Sequence, residues 1–306
     1  MNTTTLGKTG LTVSRMGLGC GGHSRLGLAT GKDEANAISV VHKALELGIN
    51  FIDTAESYKT ETAVGKALAL AKTPRESVVL STKLSARTDD HFTTPAELKA
   101  RAEGCLERLQ TDYLDILHLH GVKADEYAYC QSELVPALLE LRDEGKIRFL
   151  GITEAFGPDP QHAMLGPAVN ADNCWEVVMV GFNILNQSAR ERVLTATQAK
   201  QIGTLCMFAV RRVLSNPEAL HSLLGELVAS GQLPSEALTI LPPGDVTELA
   251  YQFCRDEPGI DVVLSGTGNP AHLEANARAL LGPPIPSELR ERLQHVFAGL
   301  DSISGN

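Results

Sequence analysis

The stretch DEANAISVVHKALELGINFIDTA (33–55) decides how this chain is read. Across 33–48 the apolar residues recur at three- and four-residue spacing and Gly48 offers a natural stop, which predicts an amphipathic helix. NFIDTA (50–55) follows as a short apolar run of the kind that forms a buried parallel strand. The same alternation continues outward in both directions. The strand-like runs are SRMGLG (14–19), NFIDTA (50–55), VVLSTK (78–83), LDILHLH (114–120), FLGIT (149–153), VVMVGF (177–182), TLCMFAV (204–210) and DVVLSG (261–266), with helical patterns between them. Eight such units in about 250 residues match a (β/α)8 TIM barrel, whereas a doubly wound open sheet needs fewer strands in that length.

Outside this repeat, TTTLGKTGLTVS (3–14) reads as a two-stranded hairpin turning at Lys8-Thr9-Gly10 and capping the barrel bottom, because polar and apolar residues alternate on both sides. TTPAELKARAEGCLERLQ (93–110) starts with a Thr and carries Glu97 as an N-terminal cap would. The stretch 211–244 is long for a β–α connection, and PEALHSLLGELVASGQL within it predicts an extra helix before the repeat helix near 245–256. No linker, low-complexity tract or shift of composition divides the chain, so one domain over 1–306 is expected.

Composition narrows the partners. With 27 basic and 37 acidic residues the formal charge is −10, and no basic cluster could grip a phosphate backbone, so nucleic acid is not an expected partner. Apolar runs such as VVMV (177–180) fall far short of the roughly 20 residues that cross a bilayer, and the polar opening MNTTTLGKTG has no apolar signal core. A soluble, cytoplasmic protein without membrane contact is the expectation. Six cysteines without a CxxC pair fit reduced thiols better than a disulfide scaffold or a zinc site.

Reacting groups in such a barrel come from the C-terminal ends of strands. Asp53 ends one predicted strand, Tyr58 follows five residues later, Lys83 ends the next, and His120 ends LDILHLH. Singly, each has an ordinary reading: Asp53 as a helix cap, Tyr58 as a half-buried core aromatic, Lys83 as a strand meeting solvent, His120 as a hydrogen-bonded barrel histidine. Together they form a proton-transfer device. A lysine cation beside a phenol favours the phenolate and is expected to bring its pKa down, Asp53 would supply the lysine's counter-charge, and His120 would orient a carbonyl oxygen. His118, two residues earlier on the strand, must face the same way one layer deeper, and a satisfied core imidazole is its expected role.

With these residues in view the chain resembles the aldo-keto reductase superfamily over nearly its whole length. LGKTGLTVSRMGLGC (6–20) is similar to that family's opening hairpin and first strand, GINFIDTAESY (48–58) to its Asp and Tyr segment, STKL (81–84) to its lysine strand and YLDILHLH (113–120) to its histidine strand. The resemblance implies Tyr58 as general acid, Asp53 and Lys83 as its tuning pair, His120 as the carbonyl-orienting group, and hydride from NADP(H) or NAD(H) without a metal. It also implies cofactor contacts. Thr153 and Glu154 stand where the family has a Ser-Asn pair for the nicotinamide amide, Met179 replaces a glutamine, and Phe208 falls near the family's stacking aromatic. Arg211 or Arg212 would meet the pyrophosphate; VLSGTGNPAHLEANA (263–277) would hold the adenosine end through Gly266, Thr267, Gly268, His272 and Asn276. Glycines and a histidine there, instead of lysine or arginine, leave the choice between NADP and NAD open.

The expected function is therefore hydride transfer between NAD(P)H and a small-molecule carbonyl substrate, an aldehyde, ketone or sugar, with Tyr58 as general acid/base. An alternative from another class is a dinucleotide-binding sensor or regulatory protein on the same scaffold, motivated by the changes at Thr153-Glu154 and Met179. A barrel of unrelated chemistry is a third reading. The substrate itself would be chosen by the loops at 20–32, 121–131 and 211–244. Oligomeric state is not legible.

Overall fold

A computed structural model describes residues 1–88, 90–171 and 174–306. Eight parallel strands close into a barrel: β3 (Met16–Gly19), β4 (Phe51–Asp53), β5 (Val79–Ser85), β6 (Leu114–Val122), β7 (Ile147–Glu154), β8 (Val177–Gly181), β9 (Gly203–Met207) and β10 (Val262–Ser265), which returns to pair with β3. All eight expected strands form. The expected 204–210 strand stops at Met207 because Phe208 takes a left-handed backbone, φ +66°, that no ladder accommodates.

The expected caps and helices are present. The helix Glu34–Glu46 starts at Asp33, whose side chain accepts from the Asn36 N–H. Thr94 and Glu97 form a reciprocal capping box at the start of Pro95–Leu109. The extra helix spans Pro217–Ala229, and the repeat helix after it spans Thr247–Arg255. Among the described residues no helix is long and apolar enough to cross a membrane.

Ahead of the barrel, β1 (Thr3–Thr5) and β2 (Thr12–Ser14) pair antiparallel, as expected from the Lys8-Thr9-Gly10 turn. Leu6, Leu11 and Val13 of this hairpin pack on Phe51, Val79, Ile116, Val177, Leu205 and Val262, the inward-facing residues at the strands' N-terminal ends. Period-two alternation then dictates what faces inward higher up. Lys83 is in register with His118 and Ser85 with His120, so one sequence parity sends all four side chains into the barrel.

Candidate active site

The C-terminal ends of β4, β5 and β6 gather Asp53, Lys83 and His120, and a short turn, Glu56–Tyr58, swings Tyr58 over them. The lysine is 1% exposed, and its Nζ donates to Asp53 Oδ2 and to the Thr54 carbonyl, each at 2.6 Å. Ser81 donates to the other Asp53 oxygen at 3.0 Å. Burial alone would discharge Lys83, but Asp53 and then Tyr58 outweigh it and hold the ammonium above the ordinary lysine range. Burial pushes the Asp53 carboxyl up, with Lys83 and then Ser81 pulling it back; the 2.6 Å contact keeps the pair ionised.

Tyr58 lies with its ring centroid 4.9 Å from Lys83 Nζ and its hydroxyl 3.4 Å from His120 Nε2. Gly21 permits this position: a Cβ there would fall 2.5 Å from the tyrosine ring. The phenol differs from expectation in one respect. Its pKa is raised, because burial outweighs the opposing pull of Lys83, so the lysine only limits the rise. Burial and then Lys83 push His120 down to about 3, leaving a neutral imidazole. Ser57 Oγ lies 3.5 Å from its Nδ1.

His118 lies one layer deeper and fully buried, as its parity requires, but the expected satisfaction is missing. Neither ring nitrogen has a partner in hydrogen-bond geometry, although the Ile152 backbone is close enough to favour the charged form weakly. Burial, then Lys83 and His120, hold it far below the usual histidine range. Its ring packs on Gly151, where a Cβ would fall 2.2 Å from Nδ1.

Tyr58 lines one cavity, and His120, 3.4 Å from its hydroxyl, lines another. The larger, about 1000 Å³, runs from Tyr58 past Met179, Met207 and Phe208 to Arg211 and Arg212, and on to Gly266, Thr267, His272 and Asn276. Its length and lining could hold an extended dinucleotide: two guanidiniums for phosphates, an aromatic for ring stacking and an amide at the far end. Arg211 lies over the Phe208 ring, 4.0 Å from its centroid, and so covers one face of the aromatic expected to stack on nicotinamide. Asn183 donates to the Phe208 carbonyl at 3.3 Å and Phe156 meets the ring edge-on. Asn276 donates to Ser265 Oγ at 3.0 Å, and Ser265 shares a 2.9 Å hydrogen bond with Tyr251.

Three of the expected cofactor contacts sit outside this cavity's lining. Glu154 points out of the barrel, since Thr153 takes the inward parity; its buried carboxylate lies 2.9 Å from His162 Nδ1 and accepts from the Gly181 N–H at 2.8 Å. Thr153 is turned to the Gly121 N–H, from which its hydroxyl accepts at 2.7 Å. Gly268 packs directly on Gly27, and its carbonyl accepts from Lys32 and Asn36 at 3.1 and 3.0 Å. Conversely, His23, Arg25, Asp245 and Tyr251 line the cavity without having been expected there. The only sequence signal for the first two was their membership of the 20–32 loop.

The smaller cavity, about 330 Å³, is lined by Ser85, Arg87, Thr88, His120, Lys123 and Glu126 together with Ala86 and Gly121.

A family model described as the Aldo/keto reductase family matches residues 15–218. The L-galactose dehydrogenase of Arabidopsis thaliana is 39% identical, over 97% of this chain and 94% of its own. An uncharacterized oxidoreductase of Bacillus subtilis, YrpG, is 36% identical over 98% of this chain and 93% of its own. Among solved structures, the aldo-keto reductase AKR11C1 from Bacillus halodurans in its holo form superposes with a TM-score of 0.75 at 29% identity, covering 97% of this chain and 96% of that one. A match through most of the barrel, with relatives above 30% identity along its full length, makes this chain an oxidoreductase of the aldo/keto reductase family.

Proposed function

We propose that this protein transfers hydride between NAD(P)H and the carbonyl carbon of an aldehyde, ketone or sugar, with Tyr58 as the general acid/base. One observation carries the reading: a buried phenol, a neutral imidazole 3.4 Å from it, and a lysine ammonium anchored by a carboxylate meet at the barrel mouth, with the phenol and the imidazole each lining a cavity. The 39% identical relative named as an L-galactose dehydrogenase supports a sugar among these substrates.

A bound reduced dinucleotide would supply the hydride, and Phe208, Arg211, Arg212, Thr267, His272 and Asn276 are the residues proposed to hold it. The chain's own groups manage the oxygen and the proton. With Ser57 Oγ 3.5 Å from His120 Nδ1, a hydroxyl proton shared with Nδ1 would leave the ring proton on Nε2, positioned to donate to the carbonyl oxygen. Tyr58 gives its hydroxyl proton to that oxygen as negative charge develops there, and Lys83 stabilises the phenolate left behind. Asp53 keeps Lys83 charged and aimed. In the oxidation direction each transfer reverses, and the phenolate takes the alcohol's proton.

The test is Tyr58→Phe. Turnover with NADH or NADPH across a panel of aldehydes, ketones and aldoses should fall at least about 1000-fold, while the dissociation constant of the preferred dinucleotide moves less than about twofold. Retained activity refutes the role of Tyr58. Tight dinucleotide binding by the unaltered protein without turnover of anything on the panel favours the regulatory reading, for which the apolar Met179 and the outward Glu154 are the motive.

A further inference from the structure

Outside the lining of the dinucleotide cavity lies a buried pair, Glu154 and His162, that the hydride-transfer reading leaves unused. Glu154 ends β7 facing away from the barrel axis, and its side chain and that of His162 are both 0% exposed. A carboxylate so deep costs free energy unless its lone pairs are met. Here they are: Oε1 accepts from the Gly181 N–H at 2.8 Å, and His162 Nδ1 lies 3.0 and 2.9 Å from the two oxygens. The other ring nitrogen of His162 is buried without a hydrogen-bond partner among the described residues, so the carboxylate is the polar contact that orients the imidazole. The turn that delivers His162 is itself tied: Asp159 accepts from the Ala163 and Met164 N–H groups at 2.9 and 3.0 Å, and His162 takes a left-handed backbone, φ +58°.

The imidazole so fixed forms one wall of a slot. Its ring stacks on Phe156, centroids 5.3 Å apart and planes 17° from parallel, and Phe156 is fully enclosed. Gly181 forms another wall, since a Cβ there would run into the Phe156 ring. One carboxylate therefore holds both walls, His162 by its ring and Gly181 by its N–H. Phe156 in turn meets Phe208 edge to face, with centroids 5.4 Å apart and planes at 89°, an arrangement that aromatic quadrupoles favour. Phe208 lines the dinucleotide cavity. Asn183 fixes its backbone by donating to its carbonyl, which leaves the tilt of the ring to the ring's own neighbours.

We infer that Glu154 is a positioning residue for the nicotinamide ring: through His162 and Gly181 it fixes Phe156, and Phe156 sets the tilt at which Phe208 meets the dinucleotide. The inference rests on the proposed stacking of Phe208 on nicotinamide and deepens it. It gives Glu154 a role that the family resemblance does not imply, because the asparagine expected at that place would touch the nicotinamide amide directly.

The experiment is calorimetric titration of the full-length protein with the preferred dinucleotide and with the same molecule lacking its nicotinamide ring, ADP-ribose or ADP-ribose 2′-phosphate. Glu154→Ala and Phe156→Leu should each weaken the dinucleotide about 3- to 10-fold, the scale of one misplaced aromatic pair, and change the ring-less fragment less than about twofold. General loosening of the cavity would cost both ligands alike, and equal losses overturn the inference. So does an unchanged dinucleotide affinity in Glu154→Ala beside a loss in Phe156→Leu, since Phe156 would then need no carboxylate. Phe208→Ala tests the reading underneath. If it leaves the ratio of the two affinities at the unaltered protein's value, the stacking of Phe208 has failed; if it shifts the ratio while Glu154→Ala does not, the positioning role alone is refuted. Should Glu154→Ala not fold, the double variant Glu154→Met, His162→Leu, which strands no buried charge, carries the same comparison.

Discussion

Replacing Asp53 by Asn removes the counter-charge of an ammonium that has nowhere else to put it. The Lys83 and Asp53 side chains are 0% and 4% exposed and 2.6 Å apart, so solvent screens their attraction little. At an effective dielectric constant of about 20 that separation corresponds to about 6 kcal/mol of Coulomb attraction, against which each ion's desolvation is set. Removing one partner of such a pair costs about 3–5 kcal/mol. The Thr54 carbonyl still accepts from Lys83 at 2.6 Å, and an asparagine oxygen can accept too, so Asp53→Asn belongs near about 3 kcal/mol. The assay is urea unfolding at neutral pH of Asp53→Asn, Lys83→Met and the double variant. The double variant lacks the stranded charge and should recover at least about 2 kcal/mol relative to the sum of the single losses. Additivity within about 0.5 kcal/mol would refute the claim that the two charges form one unit, and with it the account of how Lys83 supports the phenolate.

The pH dependence follows from two directions of shift. Because burial raises the Tyr58 pKa, the phenol stays protonated across neutral pH; carbonyl reduction should be flat from about pH 6 to 9, while alcohol oxidation, which needs the phenolate, should rise throughout that range. With His120 pushed down to about 3, neither profile should show an inflection between about pH 6 and 7, and one that disappears in His120→Asn would contradict its neutral role. Gly21→Ala would put a methyl 2.5 Å from the Tyr58 ring and displace it, so kcat should fall about 10- to 100-fold; an unchanged kcat would show that the ring does not depend on this approach.

The barrel was legible because parallel strands buried on both faces read as apolar runs, and Asp53, Lys83 and His120, the groups proposed to manage the proton, end the apolar runs of β4, β5 and β6. Asp53, Tyr58, Lys83 and His120 could be brought together from strand order alone, since consecutive strands of a barrel are neighbours. Glu154 shows a signal present but unused: if Thr153 faces inward, Glu154 must face outward, and the parity that set His118 beneath His120 could have said so. The Tyr58 shift depended on burial, which spacing does not report. The stacking of Phe92 on Tyr129 is a contact between two loops with no periodic trace. The packing of Gly268 on Gly27 is likewise long-range, joining segments far apart in the chain.

The seal that Leu6, Leu11 and Val13 form across one end of the barrel has a kinetic consequence. Nothing can drain through the floor, so every molecule that reaches the tyrosine arrives and departs at the opposite rim of the barrel. Reactant and product therefore share one rim for entry and exit, whichever way the chemistry runs.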